Sequence, residues 1–488
     1  MFEYAFKHPL THEVAYQSQL QSRRAVVHAA VARALETQAG DKLNEHAALL
    51  AHHCEAAGEV RNAARWHQRA AEWAGLNDVN AALHHWLRVR ELAKQGGDDV
   101  ELTNLLALAC SQALPFAWRV GASSMASAEL FEEGCKAAER SGNLPALATL
   151  NAVYGAALGY NQAAAHDHAR YTTEAVRIAD LTGDAALRAG TRAELVAGHM
   201  SCGQLREAER IADEVIALAS GDPHLGVEVI GCSPLMSARA LRLLAVGSLR
   251  DPVTALRELL FVRRVAVEAG YPEPALWAAF AEIELKYALC NRDGIHALAQ
   301  TAMRLAKNLG ALNELYAAIG ECDALACDND WRTLLDTSTD LLRGARELAV
   351  GRPWEPRLLA LIGIAQLELG SLEAGRAAAQ EGVALMRESQ SLWNPHSYAV
   401  LARAQLALSE PAADIALTLD EYEALLTRTG FHVYEGELHE LRARLAGREG
   451  QRTEQAAALA HAHACYTRFG MIAQAGRVAD HATLLAGP

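Results

Sequence analysis

The sequence predicts an all-α solenoid of antiparallel helical hairpins with a repeat of about 40 residues. Two interleaved series of turn signals carry the prediction, and the composition permits it. The first series falls at Gly270, Gly310, Gly351, Ser389–Ser391, Gly430 and Gly470; the second falls at Cys290–Asn291, Asp328–Asp330, Gly370, Ser409–Pro411 and Gly450. Each steps by about 40 residues and the two are offset by about 20, as two helices of roughly 15 to 18 residues joined by short turns require. Proline is sparse, with 13 in 488 residues, so few helices are interrupted. Alanine runs at 377–379 and 456–458 favour helix and let neighbouring backbones approach closely.

One unit shows the mechanics. After Pro356, residues Leu358, Leu361, Ile362, Ala365 and Leu369 follow the spacing of a single helical face, and Gly370 ends the run. The next helix presents Leu372, Ala379, Val383 and Met386. Neither face is buried alone, so stacked hairpins must supply the core. Earlier units are less regular. Ala63, Trp66, Ala70 and Ala74 share one side of a helix over 62–74, and breaks at Gly142–Asn143 and Gly183–Asp184 repeat the spacing. Residues 220–234 are the least helix-like interior stretch, an elongated loop or a seam, with a weak strand signal in VEVI. The expected organisation is a junction over 1–40, a first helical subarray over 41–219, this connection, and a second subarray over 235–488. At the start, Phe2, Tyr4 and Phe6 alternate with polar or small residues up to Pro9, which reads either as a strand whose neighbours lie upstream or as a terminal arm.

Composition narrows the function. Acidic residues number 59 against 45 basic ones, for a formal charge of −14, which disfavours a dominant nucleic-acid surface. No run approaches the roughly 20 apolar residues of a membrane span, and the first residues lack a secretory pattern. The nine cysteines are scattered in helical patterns, as apolar filler in a reducing compartment would be, so a cytoplasmic location is expected.

The segment Tyr4–Glu36 carries an aromatic-x-Phe-x-His stretch (Tyr4, Phe6, His8), then Ala15–Tyr16, Arg23–Arg24 and His28. In this order it resembles the junction between the ATPase and the tetratricopeptide-like repeats of bacterial AAA/NACHT-like signalling ATPases, often fused to class III adenylate/guanylate cyclases. Residues 51–74 resemble that family's first full hairpin, and 434–445 a recurrent late repeat helix. The resemblance implies a tetratricopeptide-like sensor or scaffold region that binds protein or peptide, with an ATPase/cyclase module as partner. Its alternative is a part of such an enzyme whose catalytic domains lie upstream or on another chain. No GxxxxGK[ST] sequence is present, nor the paired metal-binding aspartates of a cyclase, so no enzymatic role is expected of this chain itself.

The candidate sites follow. Histidine pairs such as His52–His53 and His84–His85 point to different sides of a helix, poor geometry for shared ligation, and no Cys-x-x-Cys occurs, so neither metal nor cofactor is expected. There is no G-x-S-x-G elbow. The polar interface candidates are Arg23 and Arg24 with His28 nearby, suited to pairing with carboxylates of a docked domain. Trp66 and Trp73, seven residues apart, are either packing or a peptide groove. The eight tryptophans are spread along the chain and are expected to fill gaps between helices, not to form one stacking platform.

Overall fold

The computed structural model describes residues 13–14, 16–97, 99–121, 123–389, 391–393 and 395–486. Among these the chain is helical throughout, with no strand, and successive helices form antiparallel hairpins. The alternation over residues 2–6 falls outside the described residues, as do His8 and Ala15. VEVI is not extended. Val227–Ile230 form one helical turn between Gly226 and Gly231, and Val229 packs so close to Gly190 that a Cβ there would lie 2.6 Å from it.

Short polar residues start the helices. Asp78, Asp99, Asn143, Asp184, Asp251 and Asp330 each accept a hydrogen bond from the first turn that follows, satisfying backbone donors that no earlier carbonyl can reach. Both turn series are visible in the backbone. Gly270, Gly310, Gly351, Gly430 and Gly470 of the first, and Cys290, Asn329, Gly370, Ser409 and Gly450 of the second, all have positive φ. The Ser389–Ser391 member includes Gln390, which lies outside the described residues.

The helices divide into two layers. Outer helices bury one stripe: Leu205–Ala219 buries Leu205, Ala208, Ile211, Ala212, Val215 and Ala219. Inner helices are covered on nearly all sides. Glu355–Glu368 buries every residue from Pro356 to Ala365, not the single face that the spacing predicts, and leaves Leu369 partly exposed. The reason is a third neighbour. Each inner helix packs on its outer partner and on the next inner helix, and the superhelix is wound tightly enough that its successive turns touch. Val100–Arg119 meets Ala311–Asp328, Leu144–Gln162 meets the turn at Arg352–Trp354, and Pro234–Leu249 meets the turn at His432–Tyr434. Leu392 N–H donates to the Ser201 carbonyl across such a joint at 2.8 Å.

This burial accounts for Val100–Arg119, a 20-residue helix long and apolar enough by composition to cross a membrane, contrary to the sequence expectation. In the fold it is an inner helix, with 61% of its apolar window buried.

Candidate ligand-binding cavity

The sequence-predicted site residues lie at the N-terminal end. On the Gln21–Ala39 helix, Arg24 lies over the Tyr16 ring, 4.7 Å from its centre, and donates to Gln17 Oε1 at 3.2 Å. His28 Nε2 is 2.9 Å from the Tyr16 hydroxyl, and its Nδ1 is 2.7 Å from Nδ1 of His53 on the next helix. Arg24 and His28 therefore hold the first hairpin together, while Arg23 is exposed. Trp66 is half-buried against the core and under Arg69, whereas Trp73 is exposed beside a shallow hollow with Arg65 and Arg69. The two tryptophans do not form one groove.

Histidine pairing recurs one hairpin later, where His67 Nδ1 lies 2.9 Å from His85 Nδ1. Burial, then the neighbouring imidazole, depresses the His85 pKa to about 4. Burial likewise lowers His28, His53 and His67. Among the described residues no three His, Cys, Asp or Glu side chains are grouped to hold a metal ion.

The inner layer gathers residues that are remote in sequence. Arg119, fully buried, donates from Nε to Glu273 Oε1 at 2.9 Å and from Nη2 to Oε2 at 2.6 Å, and Asn313 donates to the same carboxylate at 2.9 Å. Glu194 stands nearby under the Tyr160 hydroxyl; burial raises its pKa to about 7, against the pull of Arg119. Beside this clamp, Trp118, Tyr160, Trp277, Tyr316, Trp354 and Trp393 run in contact, with ring centres 4.7 to 6.1 Å apart. Four of the tryptophans that the sequence scatters are thus brought into one column.

Further along, Arg357 is fully buried, lies 4.0 Å over the Tyr287 ring and donates to Asp323, with Glu284 4.0 Å from its Nε. One guanidinium faces two carboxyl groups. Burial and the neighbouring Glu284 push Asp323 well above the ordinary carboxylate range.

Above this trio the inner face opens into a cavity of about 730 Å³. Its floor holds Tyr287, His396 and Tyr434, with the Tyr434 hydroxyl 3.2 Å from His396 Nε2. Burial, with Arg357 and Arg403 close by, keeps His396 far below its usual pKa, so the ring is neutral. Apolar wall comes from Ala288, Ala360, Ile364 and Met471, and Trp331 stands at one side. The polar lining is dominated by arginine. Arg403 donates to Glu437 at 2.5 Å; Arg477 grips Glu440 with both terminal nitrogens, at 2.5 and 2.9 Å, and Tyr466 donates to Glu440 at 3.0 Å. Arg292 and Arg444 also line the cavity and are exposed, and among the described residues neither forms an ion pair.

No lining residue was named from the sequence as a site residue, yet a signal exists. Arginine and glutamate bridge one repeat to the next at a recurring separation: Arg346–Glu381 at 35, Arg352–Glu388 at 36, Arg376–Glu410, Arg387–Glu421 and Arg403–Glu437 at 34. Opposite charges one repeat apart mark the inter-repeat ladder, to which the cavity-lining Arg403 belongs and Arg292 and Arg444 do not. Residues 434–445, singled out by resemblance, form one cavity wall through Glu437, Glu440, Leu441 and Arg444.

No protein-family model matches the chain, and no curated protein matches it in sequence. Solved structures do match in shape. The Rap protein complexed with Competence and Sporulation Factor is 12% identical with a TM-score of 0.50, over 80% of this chain and 99% of that one. A signal transduction ATPase with numerous domains, carrying a tetratricopeptide repeat sensor, from Pyrococcus horikoshii is 14% identical with a TM-score of 0.42; the match covers 78% of this chain and 55% of that one. Yeast Tom70 is 9% identical with a TM-score of 0.36, over 96% and 98%. At such identities the likeness is one of fold, and the chain is a tetratricopeptide-like helical solenoid.

Proposed function

We propose that this chain is a non-catalytic interaction module that binds a peptide segment of a partner protein in the arginine-lined cavity of its C-terminal half. The observation that carries the reading is the cavity itself. It lies on the inner face of the solenoid, within the size range of ligand sites, and its walls combine apolar surface with a few convergent charged groups. Beside the Arg119 clamp and the aromatic column the inner face leaves only about 30 Å³, whereas this segment is open. A protein of the same fold that holds a second molecule, the Rap protein, accords with the reading.

Panning a randomised dodecapeptide library on the purified chain tests it. Ala473, exposed on the cavity wall, provides the control through Ala473→Trp, which fills space without entering the core. Selected peptides should bind the parent chain and lose binding to the variant. Peptides indifferent to Ala473→Trp contradict the assignment.

A second reading is favoured by the N-terminal cluster. Tyr16, Arg24 and His28, three residues of the resemblance to signalling ATPases, interlock, and beside them Arg23, Val26 and Val27 face outward. In this reading the solenoid is the sensor region of an ATPase/cyclase-type protein, docked through that face. Arg23→Glu, which spares the Arg24 packing, should weaken association with such an ATPase module supplied as a separate chain. Undiminished association rejects it.

A further inference from the structure

We infer that the occupant of the cavity is an acidic peptide segment, held through its carboxylates by Arg292 and Arg444. The inference rests on the cavity being the binding site. Four guanidinium groups (Arg292, Arg403, Arg444 and Arg477) face two carboxylates, Glu437 and Glu440, and His396 is neutral, so the cavity carries an excess of positive charge. The whole chain has a formal charge of −14, so this excess is local and opposite in sign to the rest of the molecule. Within a concave, partly dry site such charges act over a lower effective dielectric than on open surface.

The two kinds of arginine have different parts. Arg403 and Arg477 are already held by Glu437 and Glu440 and keep the walls in place. Arg292 and Arg444 have no carboxylate partner among the described residues, and they sit on separate hairpins, in the turn after Pro272–Ala288 and on Glu435–Arg448. Planar guanidinium forks match carboxylates with two parallel hydrogen bonds. Acidic side chains separated along an extended peptide can reach both hairpins, with apolar residues between them set against Ile364, Met471 and Trp331. Glu437 and Glu440, interleaved among the arginines, repel a continuous polyphosphate and favour discrete carboxylates on an otherwise neutral chain.

The same dodecapeptide library decides the matter. Because the chain as a whole is acidic, indifferent electrostatics would enrich basic peptides. Peptides that depend on the cavity, by loss of binding to Ala473→Trp, should instead be enriched in Asp and Glu. Their affinity should fall about tenfold or more in Arg292→Gln/Arg444→Gln, an unchanged melting temperature showing that the fold survives. Selectivity between a chosen peptide and its Glu→Gln copy should shrink in the same variant and at raised salt. Cavity-dependent peptides without acidic bias, or with affinity unmoved by the double substitution, overturn this inference and leave the cavity assignment standing. Peptides that ignore Ala473→Trp overturn both. Protection of Cys290 from alkylation by free glutarate, with no cavity-dependent peptide recovered, replaces the peptide with a small dicarboxylate and also overturns it.

Discussion

Arg119 and Glu273, 154 positions apart, form a buried two-pronged ion pair that ties one turn of the superhelix to the next. Neither residue is exposed, and Asn313 donates to the same carboxylate. Removing the guanidinium leaves a buried carboxylate with Asn313 as its remaining side-chain donor. Arg119→Met should lower stability by about 3–5 kcal/mol, while Arg119→Met/Glu273→Gln should recover most of the loss. Urea unfolding of the three chains measures both effects; a single variant as stable as the parent contradicts the clamp.

Gly310 makes the same joint possible. Its φ is +96°, and a Cβ there would lie 2.6 Å from the Arg119 carbonyl oxygen. Gly310→Ala should therefore cost about 1–3 kcal/mol. Gly344, in the last turn of Trp331–Glu347 with nothing within 4 Å of its Cβ position, is the control, and Gly344→Ala should be neutral or slightly stabilising. Equal thermal shifts for the two would remove the close approach from the account.

Glu194 sets an opposite dependence on pH to that of the histidines. Its folded pKa of about 7 lies above the ordinary value of 4.5, so the folded chain keeps a proton that the unfolded chain has released. Stability from this group is complete below pH 4.5 and declines as pH rises to about 7. Glu194→Gln, which mimics the protonated side chain, should stabilise the protein at pH 8 by about 1–3 kcal/mol and have little effect at pH 4.5. Unfolding titrations at the two pH values check the sign.

The histidine pairs act in the other direction. His85 has a folded pKa of about 4 against 6.5 unfolded, and His28, His53 and His67 are also lowered. Their contribution is intact above pH 6.5 and is lost as pH falls towards 4, because the unfolded chain takes up protons first. Hydrogen exchange should show residues 47–94 losing protection over that interval in the parent chain and losing less in His85→Gln, which removes the titrating ring. Equal loss in the two chains would contradict the assignment.

What the sequence discloses is local, and what it conceals depends on superhelical pitch. The turn series was legible because each hairpin ends in a left-handed residue, as at Gly270, Gly370 and Gly450. The outer stripe of Leu372–Ser389 was legible through Ala379, Val383 and Met386. The full burial of Glu355–Glu368 was not, since its remaining cover comes from the inner helices of the neighbouring hairpins, Ala311–Asp328 and His396–Ala407. Trp118 and Trp393 join one aromatic column because successive turns of the superhelix touch. Arg292 and Arg444 stand out only once the repeat-to-repeat partners of the other arginines are known.

Alkylation of Cys290 reports whether a bound peptide occupies the cavity. Cys290 is an exposed residue of the cavity lining whose thiol pKa is raised by burial, so alkylation is run at alkaline pH, and the half-buried Cys135 in the first helical half serves as an internal control. Saturation with a peptide selected on the parent chain should slow Cys290 modification several-fold and leave Cys135 unchanged. Equal Cys290 rates with and without bound peptide would contradict the cavity as the site of binding.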